Sequence, residues 1–162
     1  MPTIVCNTGP LIALAGIDRL DLLHGLFDQV SVPSQVVAEW RQGGREKTGM
    51  DALRSATWIR EVTMSVPPDP LLVSLLDMGE AFAIDLARRS QPSLLLMDEA
   101  KGRRIARDVF GLQVIGTGRV LIEAKRANLV SDVSPLIDAI RGNGYWLSDK
   151  IVAEIRQQAG EL

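Results

Sequence analysis

Short apolar runs alternate along this chain with longer stretches whose apolar residues recur at helical spacing. Residues 3–6, Thr-Ile-Val-Cys, form a β-type run halted by Asn7-Thr8-Gly9-Pro10. A helical stretch follows from Leu11, and a second covers 18–27 with Asp18 placed to cap it. Residues 29–32 read as the next strand, and Pro33 suits the first turn of a helix carrying Val36, Val37 and Trp40. The Gly-rich, charged segment 42–49 reads as a loop, and the weak alternation over 58–64 as an edge strand. After Pro67-Pro-Asp-Pro70, helices are expected over 71–76 and 79–89. The unbroken apolar run 93–97 is that of a strand buried on both faces. Helix, strand and helix then follow at 101–109, 112–115 and 119–127, with terminal helices at 133–141 and 148–158 and a hinge-like Gly142-Asn-Gly144 between them.

Strands alternating with helices predict an α/β fold with a parallel sheet and right-handed crossovers. Ligands of such sheets bind beyond the carboxyl ends of the strands. The residues there are Asn7 and Thr8 after the first strand, Glu39 in the helix after the second, and Asp98 and Glu99 after the buried run. Glu80 follows Gly79 at the start of the helix leading into that run. Oxygen donors without His or Cys partners suit a hard cation such as Mg²⁺ or Mn²⁺, which activates water and stabilises charge on a phosphate. Each acid taken alone also reads as a helix-terminal residue, with Glu80 favouring the dipole and Asp98 serving as an N-cap.

Taken in order, several segments resemble the PIN domain. They are Asn7-Thr-Gly-Pro-Leu-Ile12, Val32-Pro33 with Glu39, Gly79-Glu-Ala81 with Ile84, and Leu94-Leu-Leu-Met-Asp98 with Gly102-Arg-Arg-Ile-Ala106. Gly116-Thr-Gly118 and Gly144-Tyr-Trp-Leu-Ser148 narrow the resemblance to PIN-like toxins of toxin–antitoxin modules. The resemblance covers essentially the whole chain. It implies a single PIN-like domain over 1–162, with C-terminal helices from about 133 and a central parallel sheet flanked by helices on both faces. It further implies a Mg²⁺- or Mn²⁺-dependent endoribonuclease, a cognate antitoxin and a homodimer. Carried over by position, the metal ligands are Asn7, Glu39, Glu80 and Asp98. Glu39, Glu80 and Asp98 are the catalytic acids, and Thr8, Glu99 and Thr117 are auxiliaries. Asn7 stands where the family has its first Asp. Its amide oxygen can ligate a hard cation but brings no charge, which keeps open a second reading as a catalytically weak or inactive module that binds RNA or protein.

Composition changes this picture in one respect. Across 162 residues, 18 Lys+Arg against 20 Asp+Glu give a net charge of −2, which excludes bulk electrostatic gripping of nucleic acid. The charge is uneven, however. Residues 88–126 hold nine Lys+Arg and four acids, leaving an excess of negative charge elsewhere. Arg103, Arg104 and Arg107 lie at helical spacing beyond Asp98, placed either to meet an RNA backbone or to form a solvated face.

The remaining features read as structural. Gly116-x-Gly118 lacks the third glycine of a dinucleotide fingerprint, because position 121 is Leu, and reads as a helix-opening turn rather than a nucleotide loop. His24, Cys6, Trp58 and Trp146 are expected to be structural or packing residues. A single Cys, the absence of Lys or Arg before Arg19 and the lack of a bilayer-length apolar run together lead us to expect a cytoplasmic protein without membrane association.

Overall fold

The apolar run beginning at Ser93 lies beside the central strand of a five-stranded, all-parallel sheet. The computed structural model describes residues 2–42 and 47–161. The strands are β1 (Thr3–Cys6), β2 (Gln29–Pro33), β3 (Ile59–Val62), β4 (Ser93–Leu96) and β5 (Gln113–Ile115). Helices α1 (Thr8–Gly16), α2 (Asp21–Leu26), α3 (Ser34–Gln42) and α4 (Lys47–Ser55) precede β3. Next come α5 (Pro70–Leu75), α6 (Met78–Arg89) and α7 (Ala100–Asp108), and β5 is followed by α8 (Thr117–Arg126), α9 (Ser134–Gly142) and α10 (Asp149–Gln158).

The strand order is β3-β2-β1-β4-β5, with Ile4 paired to Val30 on one side and Leu94 on the other. The chain moves outward from β1 through β2 to β3, then returns to lay β4 on the opposite side of β1. Right-handed crossovers made in opposite directions must lie on opposite faces. Accordingly, α1 to α4 and α8 to α10 cover one face with a core containing Ile4, Cys6, Val32, Trp40 and Leu96. Helices α6 and α7 cover the other face, around Val5, Ile84, Leu95 and Met97. Alternate residues of β1 and β4 therefore serve opposite cores, which is why residues 4–6 and 94–97 are continuously apolar.

Three local expectations are corrected. Asp18 does not cap the second helix; it sits in a left-handed turn at φ +54°, which Asp tolerates, and Leu20 occupies the N-cap position of α2. Of the expected loop 42–49, residues 43–46 lie outside the described residues, but α4 begins at Lys47. Met50 is buried in the first core, and a Cβ at Gly49 would lie 2.7 Å from the Trp40 ring, so burial against Trp40 outweighs the loop-like composition. Trp146 is not a packing residue: it is 78% exposed. Trp58 does pack, stacked on His24 with 4.9 Å between ring centroids. Cys6 is buried, and burial pushes its thiol pKa up, leaving it inert.

Candidate active site at the carboxyl edge of the sheet

The strand order reverses between β1 and β4, and Asn7 and Asp98 lie just beyond their carboxyl ends. Asp98 does not cap α7. Glu99 does so, accepting hydrogen bonds from the backbone N–H groups of Lys101 at 3.1 Å and Gly102 at 2.7 Å. Asp98 is thereby free to cross to the start of α8. Its Oδ1 accepts from the Thr117 backbone N–H at 2.8 Å, and its Oδ2 accepts from the Thr117 hydroxyl at 2.6 Å. The approach requires Gly116, since a Cβ there would lie 2.8 Å from Asp98 Oδ1. The helix-opening turn at 116–118 thus serves a carboxylate of the chain itself.

A third donor, Tyr145, escaped the sequence reading. Its hydroxyl donates to Asp98 Oδ2 at 2.5 Å. Burial and the neighbouring Asp98 charge push the phenol pKa up, so Tyr145 remains a proton donor to that carboxylate. The Tyr145 hydroxyl also lies beside Gly9, where a Cβ would approach it to 2.9 Å. The only sequence signal was the resemblance of the 144–148 segment, which does not say what the ring touches.

Glu39 reaches the edge from α3. Its Oε2 accepts from the Thr8 hydroxyl and its Oε1 from the Gly79 backbone N–H, both at 2.9 Å. Glu80 forms a capping box with Asp77: the Glu80 N–H donates to Asp77 Oδ1 at 2.8 Å, and the Asp77 N–H donates to Glu80 Oε1 at 3.3 Å. The helix-terminal reading therefore accounts for one Glu80 oxygen. The other, Oε2, is buried, accepts no hydrogen bond among the described residues and has Glu99 as the neighbour to which a protonated Glu80 can donate.

Burial, then Asp77, then Glu99 push the Glu80 pKa up to about 8. Burial also raises Glu99, but the N–H groups of Gly102 and Lys101, together with Glu80, outweigh it and hold Glu99 below the usual carboxylate range. Glu80 thus keeps the proton and Glu99 the charge. Gly102 permits this pairing: a Cβ there would lie 3.3 Å from Glu99 Oε2 and 3.4 Å from Glu80 Oε2.

Asn7 occupies the N-cap position of α1 without making a side-chain cap, and its Oδ1 is buried with no hydrogen-bond partner among the described residues. Arg103 is half-buried and donates from Nη1 to the Met97 carbonyl at 2.8 Å. Burial and Arg107 lower its pKa, and Asp98 opposes them. Arg104 and Arg107 are exposed.

Thr8 and the Gly79 N–H thus hold Glu39, Glu80 pairs with Glu99, and Thr117 and Tyr145 hold Asp98, with Tyr145 lying beside Gly9. Among the described residues, no three Asp, Glu, His or Cys side chains gather closely enough to hold a metal ion. Glu39 and Asp98 are instead each satisfied by protein donors. Asn7 Oδ1, which is orphaned, and the Glu80 carboxyl, once an ion displaces its proton, are hard donors of the kind that suits Mg²⁺ or Mn²⁺, so the residues present fit such an ion chemically.

A five-stranded, all-parallel α/β sheet covered by helices on both faces is the fold of a PIN-type domain, a class whose members are typically nucleases and generally use divalent metal ions. A family model described as PIN domain matches residues 3–161, and the chain belongs to that family. No curated protein and no solved structure matches the chain. No helix among the described residues is long and apolar enough to cross a membrane.

Proposed function

We propose that the chain is a divalent-metal-dependent endoribonuclease. The observation that carries this reading is the buried, unpartnered Asn7 Oδ1 at the carboxyl edge of the sheet, with the buried Glu80 carboxyl opening α6. Leaving such a group unsatisfied costs about 1–3 kcal/mol, which a cation offsets. Asn7, Glu39, Glu80 and Asp98 would hold Mg²⁺ or Mn²⁺, with Thr8, Glu99 and Thr117 supporting them. When bound, the ion supplies an activated water and stabilises charge on the scissile phosphate.

The chain's own part is positioning. Thr8 and Gly79 orient Glu39, Thr117 and Tyr145 orient Asp98, and Arg103, Arg104 and Arg107 carry phosphate contacts. RNA cleavage is expected to require added metal and to disappear in Glu80→Gln and Asp98→Asn. Cleavage persisting in both variants with unchanged metal dependence would overturn the site. The toxin role, its antitoxin partner and the homodimer rest on the resemblance of 7–12, 116–118 and 144–148, and growth arrest on expression, relieved by co-expression of a neighbouring small protein, tests them.

One observation favours a second reading, that of a catalytically weak or inactive module that holds RNA or a protein. Asn7 is neutral and Glu80 retains its proton, so the edge carries less negative charge than its acids suggest. Asn7→Asp separates the two: gained cleavage indicates a weakened metal site, whereas continued inactivity with retained RNA binding indicates the module.

A further inference from the structure

Trp146 stands one residue from the Asp98 cluster with its indole in solvent. Of the three tryptophans, Trp40 is buried and Trp58 is stacked on His24, while Trp146 is 78% exposed. Flexibility does not account for that exposure, because both neighbours are anchored. Tyr145 turns inward to Asp98, and Leu147 is buried in the first core. The Leu147 carbonyl accepts from Arg141 Nη2 at 2.8 Å, and Ser148 caps α10 by accepting from the Ile151 N–H at 3.1 Å. The backbone that carries the exposed indole is therefore fixed on either side.

We propose that Trp146 is a stacking platform for an unpaired base of an RNA strand whose phosphate lies at the Asp98 cluster. The inference rests on the ribonuclease reading of that cluster and adds to it a residue that would hold an unpaired base. Two features converge on the same carboxylate. Tyr145, adjacent to Trp146, meets Asp98 Oδ2, and Arg103 approaches from α7, with its Nη1 and Asp98 Oδ1 both within 3.0 Å of a Cβ built at Gly116. Cationic groups that track a backbone, combined with an aromatic face for a base, are the elements of single-strand recognition. A duplex would keep its bases stacked on one another and unavailable to the ring.

The test uses the whole chain in EDTA, where cleavage is suppressed. It is titrated separately with a single-stranded oligoribonucleotide and with inorganic polyphosphate, which offers phosphates but no bases. The oligoribonucleotide is expected to quench indole fluorescence, and polyphosphate to bind without quenching. Trp146→Ala should weaken oligoribonucleotide binding about tenfold and leave polyphosphate binding unchanged, while Trp146→Phe should retain most of the affinity. Wild-type affinity for RNA in Trp146→Ala would overturn the proposal and leave the ribonuclease reading standing. So would a change of oligomeric state in that variant without a change in RNA binding, which would assign the ring to a contact between copies of the chain. Failure to bind RNA both in EDTA and in Mg²⁺ with Glu80→Gln to suppress cleavage would remove the nucleic-acid reading and this inference together.

Discussion

The Tyr145 hydroxyl donates to Asp98 Oδ2 at 2.5 Å and so joins the segment after α9 to the carboxyl end of β4, 47 residues earlier in the chain. Thr117 donates to the same oxygen, so removing the phenol leaves Asp98 held but less constrained. Tyr145→Phe should fold and should raise the metal concentration needed for half-maximal cleavage about 10- to 100-fold, as loss of a ligand's orienting partner typically does. A metal titration of the cleavage rate, with near-ultraviolet circular dichroism as the fold control, checks this.

Gly79 has no Cβ where the Glu39 carboxylate sits against the start of α6, and any side chain there would collide with it. Gly79→Ala should cut cleavage at least tenfold. Its effect on stability should be small, because an alanine in a helix gains about 1 kcal/mol over glycine, offsetting part of the displaced contact. Gly142→Ala, where a Cβ meets nothing within 4 Å, should leave cleavage unchanged. Activity and thermal melts of the two variants distinguish a site effect from a helix effect.

The raised pKa of Glu80, about 8 against an unfolded value near 4.5, sets a pH dependence of stability in the metal-free protein. Between those values the folded state binds the extra proton, so its contribution is full below pH 4.5 and is lost as the pH rises through 8. Glu80→Gln abolishes this slope. Melting curves in EDTA across pH 5–9 should converge for wild type and variant at the acidic end, after allowing for a constant offset, and diverge in favour of Glu80→Gln at the basic end.

Glu161 behaves oppositely. Burial raises its pKa, but Lys125 and the Val133 and Ser134 groups that donate to it outweigh burial and bring it down to about 2. It holds the N-terminus of α9 against the end of α8. Its contribution is present above pH 4.5 and disappears as the pH falls through 2. Glu161→Gln should therefore lower the melting temperature at pH 7 and make little difference near pH 2.

Much of the fold could be read in the sequence because parallel strands buried on both faces leave an unambiguous apolar run, as at β4. The positions Asn7, Glu80 and Asp98 were legible for the same reason, since they follow the ends of those runs or open the helix between them. Capping was less so. Asp98 and Glu99 are adjacent acids before one helix, and local pattern alone cannot choose between them; the Thr117 N–H group, brought across the sheet, decides it. Helix α4 was missed because Gly49 looks like a loop residue until the Trp40 ring fills its missing side chain.

By itself, then, the sequence determined the alternation of strand and helix, the two-faced core and the residues presented at the carboxyl edge, all of which follow from local periodicity. Tertiary structure alone decided that Tyr145 meets Asp98, that Glu80 retains its proton beside Glu99, and that Trp146 faces solvent. Those outcomes depend on distances between groups far apart in the chain, and on the burial that turns such proximity into a shifted pKa or a fixed hydrogen bond.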